Sequence, residues 1–148
     1  MSQHDPYQQS RPSYPQAGQY APAPGVAPLS PATERQLMMA AHWSAIASAA
    51  LVGLTFLGPL VVLLGWGKRS PAVRRQAVDA LNFQITTWIV TAALVVVGLL
   101  TLIFVVGFAL LWAAGFVWIV ALVFHAVATI RVAGGESYRY PFTLHLIK

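Results

Sequence analysis

The chain has 148 residues, of which 57% are hydrophobic and only 9% are Asp, Glu, Lys or Arg. Soluble domains carry about 25% charged residues, so a soluble enzyme is excluded as the default. There is no cysteine, which removes disulfides, iron–sulfur clusters and thiol chemistry, and a net charge of +5 in such an apolar chain reports membrane orientation rather than nucleic-acid binding.

Residues 1–32 hold seven of the ten prolines, with Gln, Ser, Gly and Tyr between them. Such a segment buries too little apolar surface to offset its ordering entropy, and is expected as a disordered tail with polyproline II character. Residues 33–148 form the expected membrane domain. Ser30 before Pro31 is one candidate N-cap for its first helix, and a Thr33–Gln36 capping box is the alternative.

Charges are absent from the 32 residues between Arg35 and Lys68 and from the 51 between Asp79 and Arg131. Uncharged apolar runs of that length are the signature of bilayer spans. A first span is predicted at about 42–66. Trp43 and Trp66 bracket it at a separation of roughly 35 Å along a helix. Gly58-Pro59 is expected to kink it. The competing topology folds 42–66 back on itself at Gly58-Pro59 as a re-entrant hairpin. Gly67 to Ser70 forms a loop, and an amphipathic helix starting at Pro71 leads into the second span. The 51-residue run is too long for one crossing and must fold back, with Gly107 as the predicted break. That gives spans at about 84–104 and 109–131. The fold class is therefore an all-α membrane protein with three transmembrane helices. Segment 136–148 is expected to lie extended at the interface, with Tyr138, Tyr140 and Phe142 toward lipid.

Basic residues set the expected orientation. Lys68, Arg69, Arg74 and Arg75 fall in the first loop, and Arg131, Arg139 and Lys148 follow the third span, whereas only Arg11 and Arg35 precede the first. With three spans, the positive-inside rule places the loop and C-terminus in the cytoplasm and the N-terminus outside.

Ala41, Ala45, Ala49 and Gly53 recur every four residues, a stripe that lets helices approach closely within the chain or across a homo-oligomer. His125 is the one ionisable side chain well inside a predicted span, and is expected to bond a Ser or Thr of a neighbouring helix. His42 and His125 are expected at opposite ends, so they cannot share an iron, and no cofactor or metal is expected. Arg75, Asp79, Asn82 and Thr86 form a polar stripe, with Gln84 beside it where the helix enters lipid. With Lys68, Arg69, Arg74, Tyr138, Arg139 and Tyr140, these residues are candidates for docking a partner, the C-terminal segment or anionic lipid headgroups. No nucleophile lies beside a His or a second acid in a recognisable motif, and no enzyme is expected.

Met39-Ala40-Ala41-His42, Gly58-Pro59-Leu60, Ser70-Pro71, Ala80-Leu81-Asn82-Phe83-Gln84-Ile85 and Gly135-Glu136-Ser137-Tyr138-Arg139-Tyr140-Pro141 occur in that order. Together they resemble the domain-of-unknown-function 4870 family, small bacterial membrane proteins related to the Tic-twenty component of chloroplast protein import. The resemblance implies a bacterial cytoplasmic-membrane protein. The expected function is a non-enzymatic scaffold or accessory subunit of a membrane complex with an unidentified protein partner. The alternative is a Tic-twenty-like translocation or conduction component.

Overall fold

The computed structural model describes residues 23–48 and 54–147. It has four helices and, among the described residues, no strand: α1 (Pro31–Ser48), α2 (Leu57–Trp66), α3 (Pro71–Leu100) and α4 (Val105–Ala133). The expected tail up to residue 22, together with Ala49 and Gly53 of the small-residue stripe, lies outside the described residues.

Ser30 caps α1, its hydroxyl accepting the Thr33 N–H at 3.2 Å, with Pro31 at the first helical position where no N–H is needed. Met38, Ala41, His42 and Ala45, at helical spacing, form the buried face of α1. α2 has only 10 residues, about 15 Å, too short to cross a bilayer. Pro59 sits in its first turn, where a missing N–H costs nothing.

These two helices replace the expected single crossing at 42–66. The end of α1 meets the start of α2, where a Cβ on Gly58 would collide with the Ser44 side chain. At the other end, the Ser70 hydroxyl just beyond α2 donates to the Glu34 carboxylate in the first turn of α1. The Ala23 N–H also meets the Lys68 carbonyl at 3.4 Å. α1 and α2 are thus an antiparallel hairpin that returns to the end where it began. Local chemistry permits the return, and the contacts between the two helices select it. Pro59 begins a helix more readily than it continues one, and Gly58 lets the returning helix touch α1. Trp43 and Trp66 consequently do not mark opposite interfaces, since Trp66 packs on the cluster holding Met38 and Ala41.

Two helices, α3 and α4, are long and apolar enough to span a membrane, not three. Ser70 caps α3, accepting the Val73 N–H at 3.2 Å, again with proline at the first position. The expected amphipathic helix and second span are one continuous helix of 30 residues, about 45 Å long. The reversal into α4 falls at residues 101–104, earlier than the predicted break. Gly107 lies inside the first turn of α4, where a Cβ would stand 2.5 Å from Leu102 Cα and from the Thr101 carbonyl oxygen. Its role is close approach rather than helix breaking. α4 ends in a Schellman arrangement, with Gly135 at φ 87 and the Glu136 N–H on the Arg131 carbonyl at 3.1 Å.

The chain after Gly135 runs back along α3. Asn82 Oδ1 accepts the N–H groups of Leu146 (3.0 Å) and Ile147 (2.8 Å), and Asn82 Nδ2 donates to the Ile147 carbonyl at 3.0 Å. Thr86 Oγ1 accepts the Leu144 N–H at 2.9 Å.

Gly58→Leu is expected to force α1 and α2 apart at Ser44 and to destabilise the protein by about 1–3 kcal/mol. Gly65→Leu, at a site with nothing within 4 Å, is the control. A lowered thermal midpoint in detergent for the first variant and an unchanged one for the second is the expected result.

Candidate functional site: a buried histidine–tyrosine chain

Six side chains from five parts of the protein meet in one buried chain of hydrogen bonds. Thr55, in the turn before α2, donates its hydroxyl to Gln84 Oε1 on α3 at 3.1 Å. Gln84 Nε2 lies 2.7 Å from His125 Nε2 on α4. His125 Nδ1 lies 2.7 Å from the Tyr140 hydroxyl, which lies 2.7 Å from His42 Nδ1 on α1. His42 Nε2 closes the chain on Gln76 Oε1, back on α3, at 2.8 Å. All six residues are buried, and both imidazoles are fully so.

The inventory of donors fixes the protons. An amide nitrogen only donates, so Gln84 Nε2 gives its proton to an unprotonated His125 Nε2. His125 then carries its proton on Nδ1 and donates to the Tyr140 oxygen. The Tyr140 O–H donates to His42 Nδ1, and His42 donates through Nε2 to Gln76 Oε1. Every bond runs in one direction, both histidines are neutral, and they hold opposite tautomers. Tyr140 keeps its proton because burial, with Tyr138 and Asp79 nearby, pushes its phenol well above the ordinary range. Phe83 stacks on the Tyr140 ring at 4.2 Å between centroids and 14° between planes, holding the phenol between the two imidazoles.

This geometry changes several expectations. His42 and His125 sit side by side rather than at opposite ends, because the hairpin returns the start of α1 to the end where α4 finishes. Their facing nitrogens are taken by one phenol, and among the described residues no group of three His, Cys, Asp or Glu could hold a metal ion. His125 bonds Gln84 and Tyr140, not a Ser or Thr. Tyr140 points into the bundle, not toward lipid, and Tyr138 is half-buried with its ring edge-on to His42 at 6.5 Å. Phe142 alone of the three aromatics is exposed. Gln76 and Thr55 were not singled out from the sequence. For Thr55 the signal is a hydroxyl within an apolar run, which obliges a partner when buried; Gln76 stands beside Arg74 and Arg75, and nothing local marks it as buried.

Outside the chain, Ala41 and Ala45 are fully buried in the helix core. A cleft of about 260 Å³ opens beside Gln76 and is lined also by Arg75, Asp79, Tyr138, Arg139 and His145. Arg139 Nη2 lies 3.2 Å from His145 Nε2. Lys68, Arg69 and Arg74 stand on the loop and first turn of α3 away from this lining, while Asn82 holds the C-terminal segment.

A small helical membrane protein, two long apolar helices closed by a helical hairpin and a buried polar clasp, is the class this architecture defines. Residues 33–147 match a family model, and the chain belongs to the magnetosome magnetite crystal formation protein family. This match overturns the resemblance to the domain-of-unknown-function family and removes the Tic-twenty reading. The blocks that carried that resemblance are the ones that build the clasp and its supports, features of packing that do not identify a translocation component. No curated protein and no solved structure matches the chain.

Tyr140→Phe removes one hydroxyl and strands the Nδ1 atoms of both histidines, at about 1–3 kcal/mol for each unsatisfied group. It is expected to lower the thermal midpoint in detergent, whereas Tyr138→Phe, whose hydroxyl is outside the chain, leaves it nearly unchanged. His125→Leu is expected to insert into membranes normally but to loosen α4 from the bundle, read as faster proteolysis of the C-terminal segment.

Proposed function

We propose that the protein is a non-enzymatic accessory component of the membrane in which magnetite crystals form, acting from its basic end. The carrying observation is the family match over residues 33–147. The arrangement of charge supports the rest. Arg35 approaches Gly135, and Lys68, Arg69, Arg74 and Arg75 stand at the loop and start of α3. Arg131 ends α4 and Arg139 joins Arg75 in the cleft. Every Lys and Arg among the described residues therefore lies at one end of the bundle, and none at the turn of residues 101–104.

The positive-inside rule places that end in the cytoplasm. The start of α1 is on the same side as the C-terminal segment, so the N-terminal tail is cytoplasmic in this reading, opposite to the three-span expectation. Among the described residues, the crystal-facing side is then a short turn with exposed Leu102, Ile103 and Phe104 and no carboxylate. Such a surface offers nothing to bind iron or a mineral face. The role follows as one of organising other components of that membrane through the cytoplasmic loop, cleft and tail.

The chain has no natural cysteine, so single cysteines report topology directly. On isolated crystal-bearing vesicles, whose cytoplasmic face is outward, Ser13→Cys and Leu144→Cys are expected to react with an impermeant maleimide directly, while Ile103→Cys reacts only after detergent lysis. Failure of Ser13→Cys to react before lysis would overturn the orientation. In the bacterium that carries the chain, deletion is expected to shrink or misshape crystals seen by electron microscopy. Lys68→Gln/Arg69→Gln is expected to restore them only partly. Normal crystals after deletion would overturn the function.

A further inference from the structure

The cross-section of the bundle changes along its length. From the basic pole to Gln84, about 20 Å along α3, four helices lie side by side. Met38 and Ala41 of α1 and Val62 of α2 share one core there with Val73 and Ala77 of α3 and Val132 of α4. Asn82 and Thr86 hold the C-terminal segment on the same half. The hairpin of α1 and α2 stops where Thr55 meets Gln84. Beyond that level, among the described residues, only α3 and α4 continue, for about 24 Å to Leu100. They run close together. A Cβ on Gly98 would stand 3.0 Å from Leu111 Cδ2 and 3.2 Å from the Gly107 carbonyl oxygen, and Ala114 and Ala121 are buried between the two helices.

The hairpin has the surface of a body in hydrocarbon. No side chain of α2 before Trp66 carries a charge or a hydrogen-bonding group. Its outward residues Val61 and Leu64 are 59% and 73% exposed, and Trp43 and Ile46 face outward on α1. In a chain with two helices able to span a membrane, such a contiguous apolar face marks lipid contact. With 10 residues α2 is about 15 Å long, the depth of one leaflet. One leaflet therefore holds a four-helix section and the other a two-helix section. Neighbouring helix axes lie roughly 8–10 Å apart, so the added layer makes the first section wider by about 10 Å.

We infer that the protein is a wedge in the bilayer, broad in the leaflet at the basic pole and narrow in the other, and that it favours and promotes membrane that is convex on the basic side. Bending in that sense enlarges the leaflet that holds the broad end and closes lipid around the narrow one. The partner is the curved bilayer itself, recognised by shape, with no particular headgroup required. In the orientation of the proposed function the broad end is cytoplasmic, and the favoured membrane is that of a small vesicle surrounded by cytoplasm. The inference rests on that reading for the direction of bending alone. The wedge stands on the half-depth of the hairpin.

The test uses the full chain with a fluorophore on Ser13→Cys, mixed with phosphatidylcholine in detergent and reconstituted by detergent removal into vesicles of many sizes, imaged one by one. Density per membrane area is expected to rise about threefold, half a decade in partition, as the diameter falls from about 400 to about 50 nm. An impermeant quencher reads orientation: the label is expected mostly outside on the smallest vesicles and evenly divided on the largest. Val61→Lys/Leu64→Lys, both on the outward face of α2, is expected to lift the hairpin from the hydrocarbon and to abolish both trends. A spin label on Val61→Cys is expected to collide more with oxygen than with a water-soluble nickel chelate, and it serves if the lysine variant does not fold. Equal density at all diameters, an orientation independent of diameter, trends that survive the two lysines, or a Val61→Cys label that meets nickel more than oxygen would each overturn the wedge. These vesicles contain no crystal and no cell membrane, so this inference and the proposed function fail separately.

Discussion

Polar groups placed in an apolar interior must find partners, and in this protein the Tyr140 hydroxyl is where that requirement converges. It accepts from one imidazole and donates to another, and the outer nitrogens of those imidazoles close on two glutamine amides of α3. Removing any member leaves a buried donor or acceptor with nothing to bond, and no water lies in hydrocarbon to replace it. The chain ties α1, α3, α4, the turn before α2 and the C-terminal segment in one unit. Because it is neutral throughout, it brings these elements together without the desolvation cost of a buried ion pair. The Thr55 hydroxyl and the Gln84 and Gln76 amides that bound the two imidazoles neither gain nor lose protons near neutral pH, which makes the unit a clasp rather than a route for protons.

The clasp has a geometric precondition. His42, 11 residues into α1, can reach His125, 8 residues before the end of α4, only if the start of α1 and the end of α4 lie at the same pole, and the hairpin of α1 and α2 puts them there. Gly58 against Ser44 at one end and Ser70 against Glu34 at the other hold that hairpin closed. The same fold gathers the described basic residues at one pole and leaves the other pole apolar. Asymmetry of charge and closure of the clasp are therefore two consequences of one hairpin.

For a protein of the magnetosome magnetite crystal formation family, this distribution of surface matters. Among the described residues, the basic loop, the cleft and the C-terminal segment are polar features at one pole. The outer faces of α3 and α4 expose large apolar side chains such as Trp112, Phe116 and Leu100, as lipid contact requires. An accessory role built on contacts at one membrane surface is consistent with both observations.

The sequence by itself determined the membrane class, the helical caps and the existence of a turn inside the long uncharged run. Each of these depends on residues near one another in the chain: Ser30-Pro31 and Ser70-Pro71 as starts, and charge-free length against bilayer thickness. It did not determine the number of crossings. The stretch from His42 to Trp66 has the length of a span and also the Gly58-Pro59 pair of a hairpin, and only contacts between distant residues choose between them. Tyr140 reads as an interfacial aromatic by its neighbours, and turns inward because two histidines far from it in sequence need a shared donor and acceptor. Local chemistry settles where helices begin. Which of their polar side chains meet was decided by the tertiary structure, because the partner of a buried hydrogen-bonding group is fixed by the path of the whole chain.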